Sequence, residues 1–282
     1  MDMPWHDRSG RFSGLRAAAF ALVVVPALLM LFDIATGGLG AEPATELTHR
    51  TGDWAIRLLI ISLAITPLRR ITGWGRWIIV RRMLGLGAFF YALAHFFIYI
   101  AEEDFNLLKV GSEIVLRIYL TIGFVALLGL ALLAATSTDR AIRRMGANWH
   151  RLHTIVYGIA VLAVVHFFLQ SKADVSEAVL MAGFFVLLMG WRAARRAGFE
   201  LADVRTLLVV AVLASLVTAG LEALWYALAT GVDWRLVLWA NIDGPSLRPA
   251  AWILLVGLAA ALLPLWRMVS ERRMALKPSS RS

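Results

Sequence analysis

The sequence predicts an all-α integral membrane protein, a bundle of about eight transmembrane helices with both termini on the cytoplasmic side. Three observations carry this. The 282 residues are 60% hydrophobic with a mean hydropathy of +0.73, richer in apolar side chains than a soluble domain. Apolar runs recur at the length needed to cross a hydrocarbon layer. The basic residues gather in short runs between them.

Taken in order, the runs place spans at Ala17–Ala35, Trp54–Leu68, Met83–Ile100, Ile114–Ala135, Leu152–Leu169, Val175–Trp191, Thr206–Ala229 and Ala250–Val269. The first follows Arg16, and its apolar stretch exceeds a signal-peptide core, so it reads as a retained helix. The second and sixth are short. The second ends on the basic group Arg69 to Arg82, from which the third departs. The fourth returns to Arg140 to Arg151, where the fifth begins. The sixth runs into Arg192 to Arg205, and the eighth into Arg267 to Arg281. With the N-terminus inside, 21 of the 28 Lys and Arg residues fall on the inner side, and the acidic AEEDF loop faces out. That asymmetry orients the chain. A seam in composition lies near Gly198. Beyond it are two spans without histidine, an outer loop with Trp234 and Trp239, and a turn at Asp243-Gly244-Pro245. No internal repeat is evident.

A net charge of +9 distributed as loop clusters argues against nucleic acid as a partner and for membrane lipid. The chain has no cysteine, which excludes iron–sulfur clusters, covalent C-x-x-C-H haem and thiol chemistry. No G-x-G-x-x-G or P-loop pattern is present. No catalytic triad or carboxylate pair is visible, so no catalytic residue is assigned.

The chemistry-bearing residues are histidines inside apolar spans, where ionisable side chains are costly and mark sites. His95 lies 13 residues beyond Arg82, and His166 lies 15 beyond Arg151. These offsets set them ~20 and ~22 Å above the inner boundary. Two helices then present imidazoles at one level, which suits bis-histidine ligation of a flat macrocycle. The bland alternative is an interhelical hydrogen bond for each ring. No Cys, Asp or Glu joins them to complete a tetrahedral zinc set. His153 sits at the inner face, and an offset of 13 residues from His166 turns it ~140° away on an ideal helix.

Other polar groups have two readings each. Arg57 and Arg117 lie near outer span ends, placed for a haem propionate or a lipid headgroup. Tyr91, with Phe89, Phe90, Phe96, Phe97, Phe167 and Phe168, gives aromatic runs that suit pocket walls or plain packing. Glu222 is an acid inside a span, suited to a proton relay, a quinol pocket or a cap against Trp225 or a neighbouring helix. His150, His6 and His49 read as loop or terminal residues.

The stretches THRTGDWAIRLLIISLAITPLRR (48–70), RRMLGLGAFFYALAHFFIY (81–99) and the TS…WHRLHTIVYGIAVLAVVHFF region (136–168) resemble the MsrQ/YedZ family. These are the haem-binding membrane subunits of the bacterial periplasmic methionine-sulfoxide reductase system, in the ferric-reductase-like transmembrane group shared with NADPH oxidases. The resemblance covers about residues 15–196. It implies a division into a cytoplasmic tail (1–16), a six-helix haem-binding core (17–196) and a two-helix extension with a cytoplasmic tail (197–282).

It also implies haem b, one or two, held by His95, His166 and His153, with FMN also associated. The implied role is a cytochrome b of the bacterial inner membrane. It takes electrons from the quinone pool or a cytosolic flavin reductase and passes them to a periplasmic molybdopterin methionine-sulfoxide reductase. It is an electron-transfer subunit rather than the catalytic one. The wider group has four ligand histidines, two on each of two helices, whereas Leu108 and Lys109 stand 13 and 14 residues after His95. Arg82 and Arg81 stand 13 and 14 before it, at the inner level. Protonated arginine is a very poor iron ligand, so a propionate or lipid phosphate is its alternative partner. Rival readings are a ferric or cupric metalloreductase and a haem-free transporter or structural membrane protein.

Overall fold

A computed structural model describes residues 3–7, 9–171, 174–244 and 246–275, with side chains as far as Pro264. Pro245 of the expected turn, and the basic side chains of Arg8 and of the tail from Arg267 to Arg281, fall outside this description.

The described residues form α-helices and one 3-10 turn: α1 (Gly14–Thr36), α2 (Pro43–Thr72), the turn Gly75–Trp77, α3 (Ile78–Glu102), α4 (Leu107–Leu116), α5 (Ile118–Ala135), α6 (Asp139–Met145), α7 (Ala147–His153), α8 (Val156–Gln170), α9 (Ser176–Arg196), α10 (Val204–Ala229), α11 (Trp234–Asp243) and α12 (Pro249–Ala275). Six helical stretches are long and apolar enough to cross a membrane: Gly14–Thr36, Gly75–Glu102, Ile118–Ala135, Ala147–Gln170, Ser176–Arg196 and Val204–Ala229. They correspond to six of the eight expected spans, and the chain is a multi-pass membrane protein. The second expected span lies in the middle of the 30-residue α2, where Leu58 and Leu63 are fully buried. The eighth lies in α12, whose apolar part is the shorter Pro249–Pro264.

The expected span Ile114–Ala135 needs correction. The helix breaks at Arg117, whose backbone is extended (φ −107°, ψ 105°). Ile114 belongs to the separate amphipathic helix α4 and only Ile118–Ala135 forms the span. The break is held on both sides. Arg117 N–H donates to the Glu113 carbonyl (2.8 Å), and the Thr121 hydroxyl donates to the Ile114 carbonyl (2.5 Å).

The chain divides into two compact units, the first comprising residues 1–63 and 77–171, the second 64–76 and 172–282. In the first, α3 packs on α1 and α5, α5 packs on α8, and α4 lies on α5. Gly87 of α3 leaves room for side chains of α1 and α2. A Cβ there would fall 2.8 Å from Val23 of α1 and 3.3 Å from Leu58 of α2. Small residues at crossings are how membrane helices gain van der Waals contact. In the second, α9, α10 and α12 pack against one another with α11 on α10. Here Gly183 makes room for Ile253 and Thr218, and Gly257 for Ala211.

Candidate haem-ligand site

His95 projects from α3 and His166 from α8, and the structure brings the two together. Their ring centroids are 6.3 Å apart and their planes stand at 84°. A metal–imidazole bond of about 2 Å, plus about 1.1 Å from nitrogen to ring centre, gives about 6.2 Å for two imidazoles collinear through one ion. The spacing observed therefore fits a single metal between the rings.

Each ring is anchored in the same way. His95 Nδ1 lies 2.7 Å from the Thr48 carbonyl of α2, and His166 Nδ1 lies 2.8 Å from the Tyr119 carbonyl of α5. A carbonyl only accepts, so both Nδ1 atoms carry the proton and both Nε2 atoms keep a lone pair for a ligand. One turn beyond each carbonyl stands a glycine. A Cβ on Gly52 would lie 3.1 Å from His95 Nδ1, and one on Gly123 would lie 2.7 Å from His166 Cε1. The missing side chains are what let the rings reach the backbone.

Further polar groups hold these cradles in place. Glu102, at the end of α3, accepts from the hydroxyls of Thr45 (2.8 Å) and Thr48 (3.0 Å), tying down the start of α2 where the His95 acceptor sits. Glu113 of α4 accepts from the Tyr99 hydroxyl (2.7 Å) and from Arg117 (3.0 Å). Arg117 also donates to the Tyr119 hydroxyl (3.0 Å). A polar chain thus runs from α3, one turn past His95, to the residue whose carbonyl holds His166.

The remaining expected residues are dispersed. His153 stacks on Trp149 (centroids 3.9 Å apart, 27° between planes), and its Nε2 lies 3.2 Å from the Thr136 hydroxyl. Arg81 is near enough for its charge to act on that ring. Arg82 is paired with Asp139 at 2.6 Å. Arg57 pairs with Asp53 at 3.7 Å and lies over Trp54. Tyr91 donates to the Val23 carbonyl at 2.8 Å, fixing α3 to α1. Glu222, in the second unit, is fully buried and takes hydrogen bonds from Arg248 (2.7 Å) and Asn241 (3.2 Å).

Sequence reasoning missed the cradles and the duplication they express. Thr48 precedes His95, and Tyr119 precedes His166, by the same 47 residues. The signal was present as a shift of 71 residues that overlays Gly52 on Gly123, and His95-Phe96-Phe97 on His166-Phe167-Phe168. The same shift overlays Arg82 on His153. Among the described residues no three His, Asp or Glu side chains converge as metal ligands. A two-imidazole site suits an iron whose remaining positions are filled by a macrocycle, not a tetrahedral ion.

The ferric reductase like transmembrane component family matches residues 51–164, ending two residues before His166. The chain is 45% identical over 188 residues to the haem-binding subunit MsrQ of protein-methionine-sulfoxide reductase from Xanthomonas campestris pv. campestris (strain 8004), covering 64% of this chain and 86% of the relative. It is 50% identical over 155 residues to the MsrQ of Xanthomonas euvesicatoria pv. vesicatoria (strain 85-10), covering 55% and 71%. It is 38% identical over 177 residues to that of Brucella anthropi, covering 62% and 80%. No solved structure matches. With identities at this level spanning most of each relative, the chain belongs to the MsrQ family of haem-binding subunits of the methionine-sulfoxide reductase system.

Proposed function

We propose that His95 and His166 hold one b-type haem through their Nε2 atoms, making the chain a cytochrome b of a bacterial inner membrane. The observation that carries this is the 6.3 Å, near-perpendicular ring pair with both Nδ1 atoms on backbone carbonyls. The haem when bound supplies one-electron chemistry that the side chains lack. The chain's own part is placement. Thr48 and Tyr119 fix ring tautomer and orientation, and donation to a carbonyl raises the basicity of the ligating nitrogen. Phe96, the residue after His95, stands against Phe124 of α5 with ring centroids 5.5 Å apart, a contact between α3 and α5.

Electrons come from the quinone pool or a cytosolic flavin reductase and leave to a periplasmic molybdopterin methionine-sulfoxide reductase, for repair of oxidised proteins. This direction rests on the basic-loop asymmetry, which puts both termini inside and the AEEDF loop outside, and on the relatives' names. In this reading all eight spans cross, six as the haem-binding core and two as an extension. His153, with Arg81 beside it, marks a second, inner level for a haem edge or a lipid phosphate. Arg82 is engaged by Asp139, and Arg57 and Arg117 by their own carboxylates, so these three act as positioning groups. We assign no residues to FMN. The metalloreductase alternative finds little support, since Glu102 and Glu103 of the AEEDF loop are taken by Thr45, Thr48 and Lys109.

The optical spectrum of the purified protein tests the reading. A Soret band with a sharp reduced α-band is expected, abolished by His95→Ala and by His166→Ala and spared at the outer site by His153→Ala. A colourless protein, or a spectrum untouched by His95→Ala, overturns it.

A further inference from the structure

We propose that a basic cleft at the ends of α2 and α9 is a binding site for a phosphate group. The cleft measures about 330 Å³ and lies wholly within the second unit, between Arg69, Arg70, Gly73 and Gly75 on one side and Arg195, Glu200 and Ala202 on the other.

The local sequence explains its shape. Arg69 and Arg70 occupy the last turn of α2. The chain then turns through Gly73, whose φ of +66° favours glycine, while the Thr72 hydroxyl accepts from Trp74 N–H (3.3 Å). Arg195 lies in the last turn of α9, followed by the reversal at Gly198 (φ +93°). Leu201 is buried beneath the loop. The walls are otherwise glycine and alanine, so main chain is reachable from the opening.

Charge makes the cleft selective. It collects three guanidiniums and one carboxylate. Glu200 is already engaged by Arg195 at 2.6 Å, and it would stand beside any anion bound there. Arg69 and Arg70 have no ion pair among the described residues. The negative ends of α2 and α9 ease their repulsion, but a helix end offers only about half a charge and acts over one turn. The cleft is left net positive. Guanidinium donors in a fork match the paired oxygens of a phosphate, which a halide or a single water lacks. Basic pockets at the cytoplasmic end of membrane helices take phospholipid headgroups on the same chemistry. A headgroup phosphate and a soluble phosphate would both satisfy it.

The test uses the full chain and separates these sources. Retention of phosphatidylglycerol against phosphatidylcholine is read by native mass spectrometry, and inorganic phosphate is titrated calorimetrically into the detergent-solubilised protein. Arg69→Gln/Arg70→Gln should lower the anionic retention or the phosphate affinity by about tenfold or more. Arg69→Lys/Arg70→Lys should lose less, and Arg76→Gln, outside the cleft lining, nothing. Selective lipid retention without phosphate binding assigns a headgroup, and phosphate binding assigns a soluble ligand. Equal retention of both lipids with no phosphate heat, or double-Gln behaviour matching the wild type, overturns the proposal. Thermal melting of each variant separates a lost site from a lost fold.

Discussion

Gly123 of α5 lies against the ring of His166 so closely that a Cβ there would fall 2.7 Å from Cε1 and 2.8 Å from Nδ1. Neither the ring nor the helix can yield without loosening the bond to the Tyr119 carbonyl. Gly123→Ala is therefore expected to destabilise the protein by about 1–3 kcal/mol through overpacking and to shift the low-spin haem signal in electron paramagnetic resonance. Gly52→Ala, with its nearest approach to His95 at 3.1 Å, should give a smaller shift. Gly158→Ala, which meets nothing within 4 Å, should give none. Three equal spectra would remove the glycines from the site's design.

The Glu113 carboxylate is the junction between the two histidine-bearing parts of the first unit, accepting from Tyr99 and from Arg117. Glu113→Ala leaves both donors without their acceptor. The expected cost is about 1–3 kcal/mol, with less haem retained per protein on purification. Glu113→Gln keeps one acceptor oxygen for Tyr99 and should fall between. Haem retention at wild-type level in Glu113→Ala would show that the α4 link does not hold the cradle.

How far the sequence foretold the site can be judged from particular residues. Helix existence was legible because apolar length and basic flanks are local signals, and His95 and His166 shared a depth because depth is only residue count multiplied by rise. The facing of the rings was not legible. It depends on which neighbouring carbonyl each Nδ1 finds, and Thr48 and Tyr119 are ordinary residues until the helices pack. The break at Arg117 was hidden because Leu116, Ile118 and their neighbours are apolar on both sides of it, and hydropathy does not register a turn. Asp139 becomes the partner of Arg82 only in three dimensions, whereas Asp53 and Glu113 stand four residues before Arg57 and Arg117, a spacing already legible in the sequence. Glu222 offered several roles in sequence, and its contacts with Arg248 and Asn241 form only in the folded chain.

Those contacts have an energetic consequence. Glu222 is fully buried and Arg248 only about one quarter exposed, and hydrogen bonding to the carboxylate raises the Arg248 pKa above its ordinary value. Removing one member strands a charge in a low dielectric, at a cost of about 3–5 kcal/mol. Arg248→Ala should therefore lower the melting temperature strongly. The apolar pair Glu222→Leu/Arg248→Met should restore most of the loss, because the stranded carboxylate is gone. A double variant as unstable as the single would mean that Glu222 contributes something beyond pairing.

Two aspartates at helix starts contribute to the acid limb of stability. Asp203 caps α10 by accepting from Arg205 and Thr206 N–H and the Thr206 hydroxyl. Asp174 accepts from Ser176 N–H just before α9. In both, hydrogen bonding, to the Thr206 and Ser176 side chains first, holds the carboxyl below its ordinary pKa. A depressed folded-state pKa means the unfolded chain binds protons first on acidification. The caps' contribution is complete above the unfolded-state pKa and disappears as the pH falls through the lower folded-state values. Melting temperature should be flat near neutrality and decline in the acid range. Asp203→Asn keeps a capping oxygen but removes the titration, so it should flatten the decline, and Asp174→Asn should flatten it further. Acid limbs that superimpose for wild type and the double Asn variant would place the acid sensitivity in other carboxylates.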